Sequence, residues 1–191
     1  MACRGTQVAT CLQNVWHIVS SFVFLSGTKN KDVTLLPALE RTSTFSTHCI
    51  VVIVPGDYET WKYIAPIQNA AWERKRFEYG TWGGEIRDEF KPKAGEIVAA
   101  EHWCSSGFAN TDLDLQLKKH GIHQLIVIGL IAHTCIDASV RFAAELGYEV
   151  TMIKDADYSD KEMRGALDIN IRNYASAIVT TNEIVDSISS L

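Results

Sequence analysis

The chain has 191 residues, 47% of them hydrophobic, and 18 Lys and Arg against 23 Asp and Glu give a formal net charge of -5. That length and apolar share suffice for one α/β core and show no sign of a second domain. No basic run or aromatic–basic interleaving appears, which speaks against nucleic acid as a partner, and the five cysteines (Cys3, Cys11, Cys49, Cys104, Cys135) are scattered without a CxxC pair, which speaks for a reducing compartment and against a disulfide or zinc framework.

Val15 to Leu25 reads as a first strand, too short and too polar to span a membrane. Arg4 ahead of it and Ser26-Gly27 behind give the outline of a secretory signal. His17, Ser20 and Ser21 interrupt its apolar centre, so the cytoplasm is the expected location. Thr34 to Arg41 reads as a short helix and Ile50 to Val54 as a second strand, ended by Pro55-Gly56-Asp57. Tyr58 to Phe90 is a long crossover holding Trp61, Tyr63, Trp72, Phe77, Tyr79 and Trp82, with a helix within Trp61 to Arg76. Gly80-Thr81-Trp82-Gly83-Gly84 reads as a loop, because glycine this dense is costly inside regular structure. Such a connection lines a pocket or a subunit contact, or packs on itself as an Ω-like loop; composition leaves both open.

Pro92 to Gly95 leads into a third strand, Glu96 to Ala100, with His102 to Phe108 at its carboxyl end. A helix from Asp112 to His120 stops at Gly121. Gln124 to Ile128 is the next strand, and within it Leu125 to Ile128 is a continuous apolar, β-branched run, as expected of a strand buried on both faces. Cys135 then opens an amphipathic helix to Leu146, with Ile136, Val140, Ala143 and Ala144 on one face and Gly147 at its end. Tyr148 to Ile153, Lys161 to Asn170, Ala175 to Thr180 and Asn182 to Ser189 read as strand, helix, strand and helix. Six strands alternating with helices predict a single doubly wound α/β domain, a mostly parallel sheet with helices on both faces.

Ligands in such sheets bind beyond the carboxyl ends of the strands, and His102 and Cys135 both fall there. At the first turn of a helix, unpaired N–H groups and the dipole favour a thiolate. The same amides can bind the oxyanion formed when sulfur attacks a carbonyl. The alternative is a cysteine that serves as a small buried hydrophobe.

Three segments, GTWGGEIRDEFKPKAGEIV (Gly80 to Val98), SSGFANTDLDLQLKKHGI (Ser105 to Ile122) and IVIGLIAHTCIDASVRFAAELGYEVTMIKDA (Ile126 to Ala156), give the chain a resemblance to the isochorismatase-like cysteine hydrolases. In the third, a glycine six residues before the cysteine, an arginine six after it and a closing Asp-Ala follow the family pattern. The resemblance implies strand order 3-2-1-4-5-6 and an Asp, Lys and Cys triad with Cys135 as nucleophile. It also implies a non-proline cis peptide at Leu130–Ile131, with the N–H groups of Ile131 and Cys135 facing the oxyanion, and assembly into dimers or tetramers. Residues 1–54 then form an atypical N-terminal part and 55–191 the hydrolase core.

The family lysine's place is taken by His102, six residues before Phe108, and a histidine can relay the protons of a thiol and a leaving amine. After Phe22-Val23-Phe24-Leu25, where the family aspartate is expected, stands Ser26; Asp32 and Asp57 are the nearest carboxylates. Asp57-Tyr58-Glu59 lacks the histidine of the family's metal motif, and His120 and His123 read as solvated surface, so no metal or other cofactor is expected. Trp82, Trp103, Phe108 and His133 are the substrate-contact candidates, each equally able to be packing. The expected partner is a small molecule, with neither nucleic acid nor membrane involved. The expected reaction is cleavage of a small amide, ureido or carbamoyl C–N bond through a thioester on Cys135. The rival readings are a catalytically impaired relative acting as a binding or structural oligomer, and a redox-sensing thiol.

Overall fold

The computed structural model describes residues 17–21, 46–49, 52–86, 88, 91–99, 105–129, 131–155 and 161–189. The expected helix at Thr34 to Arg41, the site candidates His102 and Trp103, and Leu130 with its expected cis peptide lie outside the described residues.

The sheet is built from β1 (His17–Ser21), β2 (Ser46–Cys49), β3 (Ile97–Val98), β4 (Gln124–Ile128), β5 (Glu149–Ile153) and β6 (Ala177–Val179). Their order is β3-β2-β1-β4-β5-β6, and every neighbouring pair is parallel. Parallel neighbours need crossovers, which here contain α1 (Pro66–Glu73), α2 (Leu113–Lys119), α3 (Asp137–Glu145) and α4 (Lys161–Ile171), while α5 (Thr181–Ser189) follows β6. All five residues of β4 are buried, with Leu125, Ile126 and Val127 wholly so. That burial is why Leu125 to Ile128 are all apolar rather than alternating.

The second strand is displaced from its expected place. Ile50 to Val54 reads as a strand because it is apolar and stops at Pro55-Gly56; the described strand is the more polar Ser46–Cys49, Val52 to Val54 are outside it, and Ile50 and Val51 lie outside the described residues. Val52 and Ile53 are buried for another reason: Ile53 pairs with the end of the aromatic crossover, its N–H donating to Phe77 O (2.9 Å) and its carbonyl accepting from Tyr79 N–H (2.9 Å). Around this bridge Tyr58 is buried, edge-on to Trp61 at 5.1 Å and tilted to Trp72 at 6.2 Å. Gly84 packs against the Glu78 carbonyl so closely that a Cβ would not fit. This part of the crossover packs largely on itself.

The core gathers Leu113 and Leu117 from α2, Val140 and Ala143 from α3, and Leu167 and Ile171 from α4 on β4 and β5. Arg141, the arginine of the third motif, is structural. It pairs with Asp137 (3.1 Å), donates to Asn170 O (3.3 Å) and lies over the Tyr174 ring at 4.6 Å, so it ties α3 to α4. The closing Asp155 serves α5, its carboxylate accepting from Thr181 N–H (2.6 Å) and the Thr181 hydroxyl (2.9 Å).

A capping box completes that helix start: Glu183 accepts from Thr180 N–H (2.7 Å) and Glu183 N–H donates to Thr180 Oγ1 (3.3 Å). The backbone and then the hydroxyl of Thr180 hold the Glu183 carboxyl below its ordinary value. A depressed carboxyl stabilises the fold above its unfolded pKa of about 4.3, and that contribution fades as pH falls through the folded value. Glu183→Ala is therefore expected to cost about 0.5–1 kcal/mol at pH 7. Urea midpoints of the two proteins should converge on acidification below about pH 4.

Candidate active site

Beyond β4 the chain leaves the sheet at Gly129, whose φ of +130° suits glycine, and continues through extended Ile131. Cys135 does not open a regular α-helix, as its sequence context suggests. It lies in a π-helical turn, Ala132–Ile136, and α3 starts only at Asp137. The turn is closed by Ile136 N–H on Ile131 O (3.4 Å), with Thr134 N–H on the same oxygen (3.2 Å). Ala132 and Ile136 are buried and anchor the turn, leaving His133, Thr134 and Cys135 half-buried between them. Wide turns of this kind recur at functional sites because they re-aim side chains that a regular helix would place elsewhere.

The sulfur sits among neutral donors. The Thr134 hydroxyl donates to Sγ at 3.5 Å, and Ser105 also hydrogen-bonds the thiol through its side chain. The backbones of Ile131 and of Cys135 itself contribute hydrogen bonds that favour the anion, so these are N–H donors. Burial nevertheless outweighs all four and pushes the thiol above its ordinary value. This corrects the expectation that the helix start lowers it. The side chain packs against the apolar core, and loss of water costs the thiolate more than these hydrogen bonds return.

The segment carrying Ser105 is locked to α3. Gly107 N–H donates to Ser139 Oγ at 3.0 Å, and Ser139 is wholly buried one helical turn past Cys135. Phe108 N–H donates to Ser106 Oγ (3.1 Å), the Thr111 hydroxyl donates to Gly107 O (2.7 Å), and Leu113 N–H donates to Thr111 Oγ1 (3.2 Å). Sequence reasoning missed Ser139, Thr134 and Ser105. The available signal was a serine four residues after the cysteine, on a helix face otherwise apolar.

Of the other candidates, Phe108 is buried in the core with its ring 5.7 Å from that of Tyr148, and Trp82 is 68% exposed in a short 3-10 turn, Trp82–Gly84. His133 has a buried Nδ1 with no hydrogen-bond partner among the described residues. Asp57, one of the carboxylates nearest the expected base, closes its own turn by accepting from Val54 N–H at 2.7 Å. β1 is described as far as Ser21; the sequence that follows it, Phe22 to Ser26, contains no carboxylate and lies outside the described residues. Among the described residues no group of three or more His, Cys, Asp or Glu is placed to hold a metal ion. None of the described helices is long and apolar enough to cross a membrane.

The model of the isochorismatase domain family matches residues 19–183. An uncharacterized isochorismatase family protein of Bacillus subtilis, YddQ, is 41% identical over 80 residues, 42% of this chain and 44% of that protein. Ureidoacrylate amidohydrolase RutB of Rhizobium rhizogenes is 30% identical over 112 residues, 58% of this chain and 45% of RutB. The matches thus span less than half the length of these relatives. The crystal structure of N-carbamoylsarcosine amidase from Thermoplasma acidophilum superposes with a TM-score of 0.68 at 22% identity, covering 88% of this chain and 98% of the amidase. That likeness is one of fold.

Proposed function

We propose that this chain, which belongs to the isochorismatase family, is a hydrolase of small amides that cleaves an amide, ureido or carbamoyl C–N bond through a thioester on Cys135. The observation that carries this reading is the convergence of hydroxyl and backbone N–H donors on one thiol at the rim of a parallel sheet. The names of two similar proteins, a ureidoacrylate amidohydrolase and an N-carbamoylsarcosine amidase, favour ureido and carbamoyl substrates.

The raised thiol shapes the mechanism. A thiol protonated at neutral pH needs a base, and His102 is the residue proposed to take its proton as sulfur attacks the carbonyl carbon. The N–H groups of Ile131 and Cys135, already directed at the sulfur, hold the oxyanion. His102 returns the proton to the nitrogen, the amine leaves, and a thioester remains. Water, giving a proton to His102, attacks that thioester; the carboxylic acid departs and sulfur recovers its proton. Trp103 and His133 are proposed to contact the substrate, Trp82 to do so from the crossover. Phe108 acts by packing under the segment that holds Ser105.

The test is release of ammonia from a panel of ureido acids, carbamoyl amines and simple carboxamides, with intact-mass detection of an acyl adduct on the Cys135 peptide. Turnover of at least one substrate class is expected. A second reading is favoured by the sequence after β1, Phe22 to Ser26, which has no carboxylate where the family aspartate is expected: an impaired relative that binds such amides without cleaving them. Binding by calorimetry with no product over hours would replace the hydrolase by that reading.

A further inference from the structure

We infer that Ser105 and Thr134 are positioning residues that hold the Cys135 sulfur between two neutral hydroxyl donors, one from each of the segments that meet there. The inference rests on the reading of Cys135 as nucleophile and deepens it.

The two hydroxyls come from different parts of the chain. Thr134 belongs to the π turn itself, and its Oγ1 lies 3.5 Å from Cys135 Sγ and 3.5 Å from Ile131 O. One hydroxyl hydrogen therefore faces two acceptors. While the sulfur is a thiol, the carbonyl is the better acceptor; once it is a thiolate, the charged atom is, because hydrogen bonds to ions are about twice as strong. Thr134 can thus follow the protonation of the sulfur by a rotation of its hydroxyl alone. Ser105 approaches from the other segment. Its position is fixed through Gly107 on the buried Ser139, which belongs to the same helix that continues from the π turn. A single rigid body therefore carries the sulfur, one donor and the anchor of the other donor. In a setting where burial opposes the anion, such donors are what keep a thiolate accessible.

The experiment is the pH dependence of iodoacetamide alkylation of Cys135, read on its own peptide by mass spectrometry because four other cysteines are present. Ser105→Ala and Thr134→Val are each expected to move the midpoint to higher pH and to slow alkylation at pH 7.5 about tenfold, the loss of one hydrogen bond to a charged group. Thr134→Ser, which keeps the hydroxyl, should retain the original midpoint, whereas a role in packing alone would leave Thr134→Val, which keeps the shape, unchanged and shift Thr134→Ser instead. Thermal melts identify any variant that fails to fold. Ser105→Ala, in a half-exposed loop residue, then reads the effect independently of the turn. Unchanged midpoints in folded Ser105→Ala and Thr134→Val would overturn the inference. Alkylation needs no substrate: a protein without turnover but with hydroxyl-dependent midpoints loses the hydrolase reading and keeps this one, and the reverse pattern does the opposite.

Discussion

Cys135→Ala is expected to lower amide turnover by at least about a thousandfold while leaving the protein folded, since removal of a covalent nucleophile leaves only binding and the oxyanion donors. The side chain is half-buried, and its loss removes one sulfur from the edge of the core, so the stability cost should stay near 1–2 kcal/mol. The donors around the sulfur are hydroxyl and backbone groups of other residues or of the turn itself, and they stay in place in the variant. Ammonia release and urea unfolding, measured side by side, separate chemistry from folding. Retained turnover in a folded Cys135→Ala protein would exclude the thioester route. Loss of turnover together with undiminished amide binding would place Cys135 in the chemical step.

How much of this could be read in advance differs along the chain. β4 is legible because burial on both faces leaves the apolar run Leu125 to Ile128, three of its four residues β-branched, directly before a glycine. α2 is legible through Leu113 and Leu117 and the stop at Gly121, and Gly147 closes α3 in the left-handed conformation its place requires. β2 is not legible, since Ser46–Cys49 owes its pairing to β1 and β3 rather than to its own pattern. Val52 and Ile53 beside it are buried, and Ile53 pairs with Phe77 and Tyr79, more than twenty residues on. The site divides in the same way. A cysteine after a buried strand announces itself. The π turn does not, because it differs from an α-turn by one hydrogen-bond position. The direction of the thiol's shift depends on how deeply the sulfur is set, which spacing cannot tell.

Ile136→Ala is the substitution that joins these two levels. Ile136 is buried to 1% exposure in the main core, and its N–H closes the π turn on Ile131 O. Truncation removes three carbons from the core where the π turn meets α3 and α4, so the expected cost is about 2–5 kcal/mol, against about 0.5–1.5 kcal/mol for Ile136→Val. Denaturant midpoints at constant m-value measure both. The functional consequence differs from that of Cys135→Ala. The backbone bond that closes the turn survives the substitution, but the packing that seats the turn does not. Cys135 should gain access to water, its thiol should titrate at lower pH as the burial penalty falls, and alkylation should quicken. Turnover should nevertheless decline, because donors held by a loosened turn no longer meet the oxyanion at a fixed distance. A destabilised Ile136→Ala protein whose thiol titrates unchanged would show that the sulfur's environment is set by the Ser105 segment rather than by the core beneath the turn.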